Sequence, residues 1–173
     1  MLRFSLESIN SRSPYCVQVS ADGSFCFTTD ESSTYEVGFV KDYMFSAENA
    51  YQIFLMPKET PNATKDDKMQ QTVTVIIEEF FQSNDMLLDY ICETRDGRQA
   101  ARNRLFSRWF SQYPKRDLFT LRTIEIAHED LLYFASAIIR NDNPHYNEYM
   151  EAIDKFEAEM AEKLKTGLTI DSE

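Results

Sequence analysis

The stretch from Met86 to Tyr113 constrains the fold most, because two different side-chain periodicities meet in it. Met86 to Glu93 is a short apolar run interrupted by Asp89 and Tyr90, which suits a largely buried strand. Asp96-Gly97 breaks that run. Beyond it the residues favour a helix to about Gln112. Asp96 fits the N-cap, Gln99 completes a D-x-x-Q capping box, and Pro114 stops the helix.

Setting successive residues about 100° apart gathers Leu105, Phe106, Trp109, Phe110 and Tyr113 on one face. The same projection points Arg98 and Arg102 into that face and puts Arg104, Ser107, Arg108 and Ser111 on the other side. Unpaired buried charge is expensive. The arginine stems are therefore expected to lie over the core and meet carboxylates, with Asp89, Glu93, Glu78 and Glu79 the nearest candidates. The functional alternative is a set of guanidinium forks for a carboxylate or phosphate. Arg98, Arg102, Arg104 and Arg108 are thus the candidate anion- or partner-binding residues. Asp96, Gly97, Gln99 and Trp109 form the structural signature around them.

The block Ile91-Cys92-Glu93, Asp96-Gly97-Arg98-Gln99, Arg102-Asn103-Arg104-Leu105-Phe106 and Arg108-Trp109-Phe110 resembles the signature of an uncharacterised bacterial family. Its members are short proteins, mostly from Bacteroidetes, that share a domain of unknown function. The likeness extends from Phe25-Cys26-Phe27-Thr28-Thr29 to Asp142-Asn143-Pro144. The resemblance implies a bacterial origin and supplies no activity, cofactor or catalytic residue.

Charge narrows the choice of partner. The chain carries a formal net charge of −11, which disfavours general attraction to nucleic acid or an anionic membrane. The charge is uneven: Arg95 to Arg116 holds seven basic residues and one acid, so that block is +6 and the remainder −17. Such a block is ordinarily a solvated face or an internal partner for the acidic remainder. Met1 to Tyr15 lacks the apolar core of a signal peptide, and no apolar run reaches membrane-spanning length. Cys16, Cys26 and Cys92 lack metal-ligand spacing and read as core thiols in a reducing cytoplasm.

At 173 residues the chain suits one globular domain over 1–165, with a frayed tail over 166–173. Its first half is strand-rich. Tyr15–Ser20 and Ser24–Thr28 flank the turn Ala21-Asp22-Gly23, and Thr34–Phe39 and Tyr51–Met56 read as two more strands. Met69, Val73, Ile76, Ile77, Phe80 and Phe81 recur at helical spacing, so a helix connects Tyr51–Met56 to the strand at 86–92 as a crossover. Leu118–Ala127 and Leu131–Arg140 form a hairpin turned by His128-Glu129-Asp130. Asn143 and Pro144 then start a last helix striped by Tyr146, Tyr149, Met150, Ile153, Phe156, Met160 and Leu164. The fold class is α+β, a mixed but mainly antiparallel sheet with three helices packed chiefly on one face.

Catalytic grammar is absent. His128 in a turn and His145 in a helix first turn make no metal set, four scattered glycines make no phosphate loop, and Cys92 sits in a buried strand. No cofactor, metal or catalytic residue is assigned. The leading expectation is a non-catalytic protein-interaction or accessory module, with another protein or a second copy met through the C-terminal helix. Anion or nucleic-acid binding by the helix at 97–112 is the alternative. A hydrolase-like site near Glu93, Asp96 and Arg98 is the third reading.

Overall fold

The computed structural model describes residues 2–59, 66–92, 97–128 and 131–167, the side chains at 127, 128, 131, 132 and 164–167 excepted. The chain divides into two compact units: Met1–Val40 with Ile53–Asp85, and Lys41–Gln52 with Met86–Glu173. The fold is α+β, with a mixed, mainly antiparallel sheet. Its strands are β1 (Gln18–Val19), β2 (Phe25–Thr28), β3 (Thr34–Asp42), β4 (Ala50–Pro57), β5 (Leu87–Cys92), β6 (Phe119–His128) and β7 (Leu131–Arg140). The helices are α1 (Leu6–Arg12), α2 (Asp67–Ser83), α3 (Gln99–Gln112) and α4 (Tyr146–Gly167).

In the first unit, β1 and β2 pair antiparallel with Gln18 opposite Cys26, and β2 and β3 with Phe27 opposite Tyr35. Ala21-Asp22-Gly23 makes the expected turn. Gly23 takes φ +88, which its missing Cβ permits, and Asp22 accepts from the Ser24 backbone N–H at 3.1 Å. Alternate residues Phe25, Phe27 and Val37 are buried on the inner face. The Phe39 ring stacks on Phe80 of α2 at 5.1 Å. α2 starts at N-cap Asp66, which accepts from Met69 N–H at 2.9 Å.

α1 is a fourth helix that hydrophobic periodicity missed, so the expected count of three is corrected. Its only buried residue is Ile9. A single carboxylate holds it in place. Glu79, 3% exposed on α2, accepts from Ser5 N–H at 3.1 Å, Ser8 O–H at 2.7 Å and Arg12 Nη2 at 2.9 Å. Arg12 also pairs with Glu78 at 2.6 Å. Polar anchoring replaces the apolar stripe on which the sequence reading relied.

In the second unit, β4 and β5 run parallel, with Ala50 opposite Leu87, as the expected crossover requires. β5 pairs antiparallel with β7, and β7 with β6. The two helices here lie on opposite faces of these strands, which corrects the one-face expectation. Leu87, Ile124, Ala137 and Ile139 share a cluster with Tyr149 and Ile153 of α4. Tyr90, of the other parity on β5, meets Phe106 of α3 with ring centroids 5.0 Å apart. Alternation along β5 dictates the split, because both of its faces are covered.

The thiols are free, and two of them depart from the core assignment. Cys16 is exposed and Cys26 is half-buried, with Sγ 3.0 Å from Ser20 Oγ, while Cys92 is buried. Asn143 accepts from His145 N–H at 2.8 Å, the bond expected of the cap that leads through Pro144 into α4. Glu129, Asp130 and the tail from 168 lie outside the described residues.

Gly38 on β3 is a packing glycine. A Cβ there would collide with the Phe54 ring of β4, which lies flat against the strand. Gly38→Ala is expected to lower stability by about 1–3 kcal/mol through overpacking. Urea denaturation followed by circular dichroism measures it, and an unchanged midpoint would contradict the packing.

Candidate functional site

α3 begins with a forced turn. Gly97 takes φ +67, and Arg98 in the cap position offers no side-chain hydrogen bond to the helix end. Asp96, the expected N-cap, and Glu93 lie outside the described residues. The first helical bond runs from Arg102 N–H to Arg98 C=O at 3.0 Å. At the other end Arg116 Nη1 donates to the Ser111 carbonyl at 2.7 Å, satisfying one of the last free acceptors.

The helix is rolled from the orientation that its apolar stripe implies. Its inner line is Gln99, Asn103, Phe106, Phe110 and Tyr113, with Arg102 and Trp109 half-covered at one flank. Leu105 points outward at 38% exposed, and Arg98 is exposed rather than set into the stripe. Aromatic contacts explain the roll. Phe106 sits on Tyr90 and takes the Trp109 ring edge-on at 5.5 Å, while Tyr113 approaches Phe119 of β6 at 6.1 Å. Large rings contribute more to burial than one Leu, so they win the inner positions.

The roll has a cost. Gln99 Oε1 and Asn103 Oδ1 are buried without a hydrogen-bond partner, and each such group costs on the order of 1–3 kcal/mol. No α3 residue is fully buried, and the Arg98 side chain makes no capping bond to its start. It is a lightly held helix.

Its outer face is basic. Arg104 and Arg108 stand one turn apart, both exposed, and neither pairs with an acid among the described residues. Lys115 and Arg116 extend the patch, with Arg116 3.8 Å from Asp117. From Gly97 to Arg116 there are six basic residues and no acid.

The acids nominated as internal partners are mostly engaged elsewhere. Glu78 and Glu79 bind Arg12. Asp89 is opposite Ala137 in the ladder, so its side chain is on the α4 side of the strands, away from α3.

Asp89 is 0% exposed and no donor group reaches its oxygens, its charged neighbour being the Asp42 carboxylate. Burial, reinforced by the Asp42 carboxylate, pushes its pKa up to about 8. Sequence reasoning missed this acidic pair, because only the strand register brings β3 and β5 ends together. On the α3 side of β5, burial raises the Cys92 thiol to about 11, against a smaller lowering by Arg102. That thiol is protonated and covered, which makes it a poor nucleophile.

No group of His, Cys, Asp and Glu among the described residues could hold a metal ion. Among the described residues no helix is long and apolar enough to cross a membrane. The chain belongs to a family of unknown function, DUF6169, whose model matches residues 65–155. That match spans α2, β5, α3, the β6–β7 hairpin and the first half of α4. No curated protein matches the chain.

Two measurements follow from this geometry. Amides of α3 are expected to exchange with solvent at least about tenfold faster than those of α2, given the shallow burial. Hydrogen exchange read by mass spectrometry reports both helices in one experiment, and equal protection would contradict the light docking. Asp89 binds its proton more tightly folded than unfolded, so it subtracts stability progressively as pH rises from about 4 to about 8. Asp89→Asn should therefore raise the melting temperature at pH 8 and leave it nearly unchanged at pH 4. A uniform loss at both would show that the carboxyl is structurally required.

Proposed function

We propose that this DUF6169 member is a non-catalytic interaction module that takes an acidic protein partner on the outward face of α3. One observation carries the reading: Arg104 and Arg108 stand exposed, one helical turn apart, without an acidic partner among the described residues, in a chain whose net charge is −11. Leaving them unneutralised within so acidic a molecule favours a negative group arriving from outside.

Arg98 and Arg102 frame the same patch. Guanidinium forks accept carboxylates in two-point geometry, and Leu105 between the arginines adds an apolar contact. A helix with weak ties to its sheet can adjust its roll as a partner docks, and ordering of this kind is common in recognition surfaces. Nucleic acid is the less favoured partner. The −17 outside the Arg95–Arg116 block would oppose a phosphate backbone that extends past the patch.

Trp109 is the only tryptophan and is half-covered on α3, so its fluorescence reports directly on this site. Titration with an acidic peptide should shift that emission at low salt, and the shift should weaken steeply as salt is added. Arg104→Ala with Arg108→Ala should reduce affinity at least about tenfold. Binding of an oligonucleotide but not of the peptide would replace this reading with a nucleic-acid one. No binding of either at low salt would end both.

A further inference from the structure

Resting on that reading, we infer that the acidic partner is a second copy of this chain, whose α4 docks on the basic face of α3. The complementarity is internal to the sequence. Between Tyr146 and Lys163, α4 carries six acids, Glu148, Glu151, Asp154, Glu157, Glu159 and Glu162, against Lys155 and Lys163. All six are exposed. Two of them are partly neutralised within the chain, because Arg122 bridges Asp154 at 3.0 Å and Glu157 at 2.8 Å. Glu148 meets His145, and Glu159 meets Lys155 at 3.9 Å. Counted with Arg122, Lys155 and Lys163, the six acids leave this helix a net −3.

Packing leaves room for a partner on the same helix. Ile153 is the last buried residue among the described side chains of α4; from there to Lys163 only Phe156 and Met160 are partly covered. Phe156 is held edge-on by Phe45 at 5.1 Å, and Met160 has a half-open apolar surface beside the acids. Leu105 and Ala101 stand between the arginines on α3, so an apolar strip meets an apolar strip when the charges pair. Elsewhere two copies repel, since the chain outside the Arg95–Arg116 block sums to −17. Approach is therefore attractive only where that block faces acid.

Placement of the helices sets the symmetry. Within the second unit α3 and α4 cover opposite faces of the β5, β7 and β6 strands. One copy's α3 can meet the next copy's α4, but the same pair of molecules cannot close the reciprocal contact through one patch. The contact is heterologous and each added copy leaves one basic and one acidic face open. Head-to-tail growth follows, not a two-fold dimer.

Sedimentation velocity over a concentration series tests this directly. At about 50 mM salt the wild-type mass should rise with concentration past the dimer, and near 0.5 M salt it should fall to that of a monomer. Neutralising either face, by Arg104→Ala with Arg108→Ala or by Glu151→Ala with Glu159→Ala and Glu162→Ala, should stop growth. Mixing the two variants should give a one-to-one pair that grows no further, because each contributes one working face. A closed wild-type dimer, or association untouched by either set, would overturn the inference. A monomer at every concentration would also overturn it. If that monomer still binds an acidic peptide through Arg104 and Arg108, the interaction reading survives alone; if it does not, both fall together. Circular dichroism of each variant, expected to match wild type because every substituted residue is exposed, excludes misfolding as the cause.

Discussion

Period-two alternation on β5 governs the second unit. Leu87 and Asp89 face one way, Leu88, Tyr90 and Cys92 the other, and all five are buried. Because the strand runs between β4 and β7, neither of its edges is open and both of its faces need cover. Two helices supply that cover, one per face. The same alternation places Asp89 among apolar neighbours, where a charge is costly, and its proton affinity rises as a result. A buried acid is thus a by-product of the strand that positions both helices.

The two covering helices are held by different means. α4 commits Tyr149 and Ile153 fully to a core shared with Phe45, Leu87 and Ile139, and Arg122 ties its outer flank to the sheet. α3 commits no residue fully and leaves two amide oxygens unsatisfied. Fully burying one large apolar side chain contributes roughly 1.5–3 kcal/mol. The helix with two such residues and no orphaned oxygens is therefore anchored much more firmly than the helix with neither advantage. The lightly held one carries the basic face. Recognition surfaces are drawn from the weakly tied parts of a fold, since they must tolerate rearrangement when a partner arrives.

Strands and long helices were legible in the sequence because their signals are local. β7 matches its expected span, and α2 needed only its apolar spacing to be located. α1 was not legible. It is short, nearly devoid of apolar residues, and fixed by Glu79 from more than sixty positions away, a link that no local window contains. The site was half legible. The arginines and their helix were found, but the stripe rule weighted Leu105 equally with Phe106 and so misjudged the roll. Tyr90 and Phe119, both on the sheet, decide which side of α3 turns inward, and their positions depend on strand register. Of the acids proposed for Arg98 and Arg102, Glu93 lies outside the described residues, and closeness in sequence did not predict which face of β5 Asp89 would occupy.

Charge segregation is then a consequence of how folding distributes the polar groups. Three of the acids nominated as partners for α3 are engaged elsewhere, Glu78 and Glu79 with Arg12 and Asp89 on the α4 side of β5. Arg122, the base best placed to neutralise α4, reaches only Asp154 and Glu157. Arg104 and Arg108 pair with no acid among the described residues, α4 carries six acids against Lys155, Lys163 and the Arg122 that reaches it, and the strands between the two helices hold these groups apart. Low-dielectric strands and a covered core separate the faces, so neither field is cancelled by the other at short range.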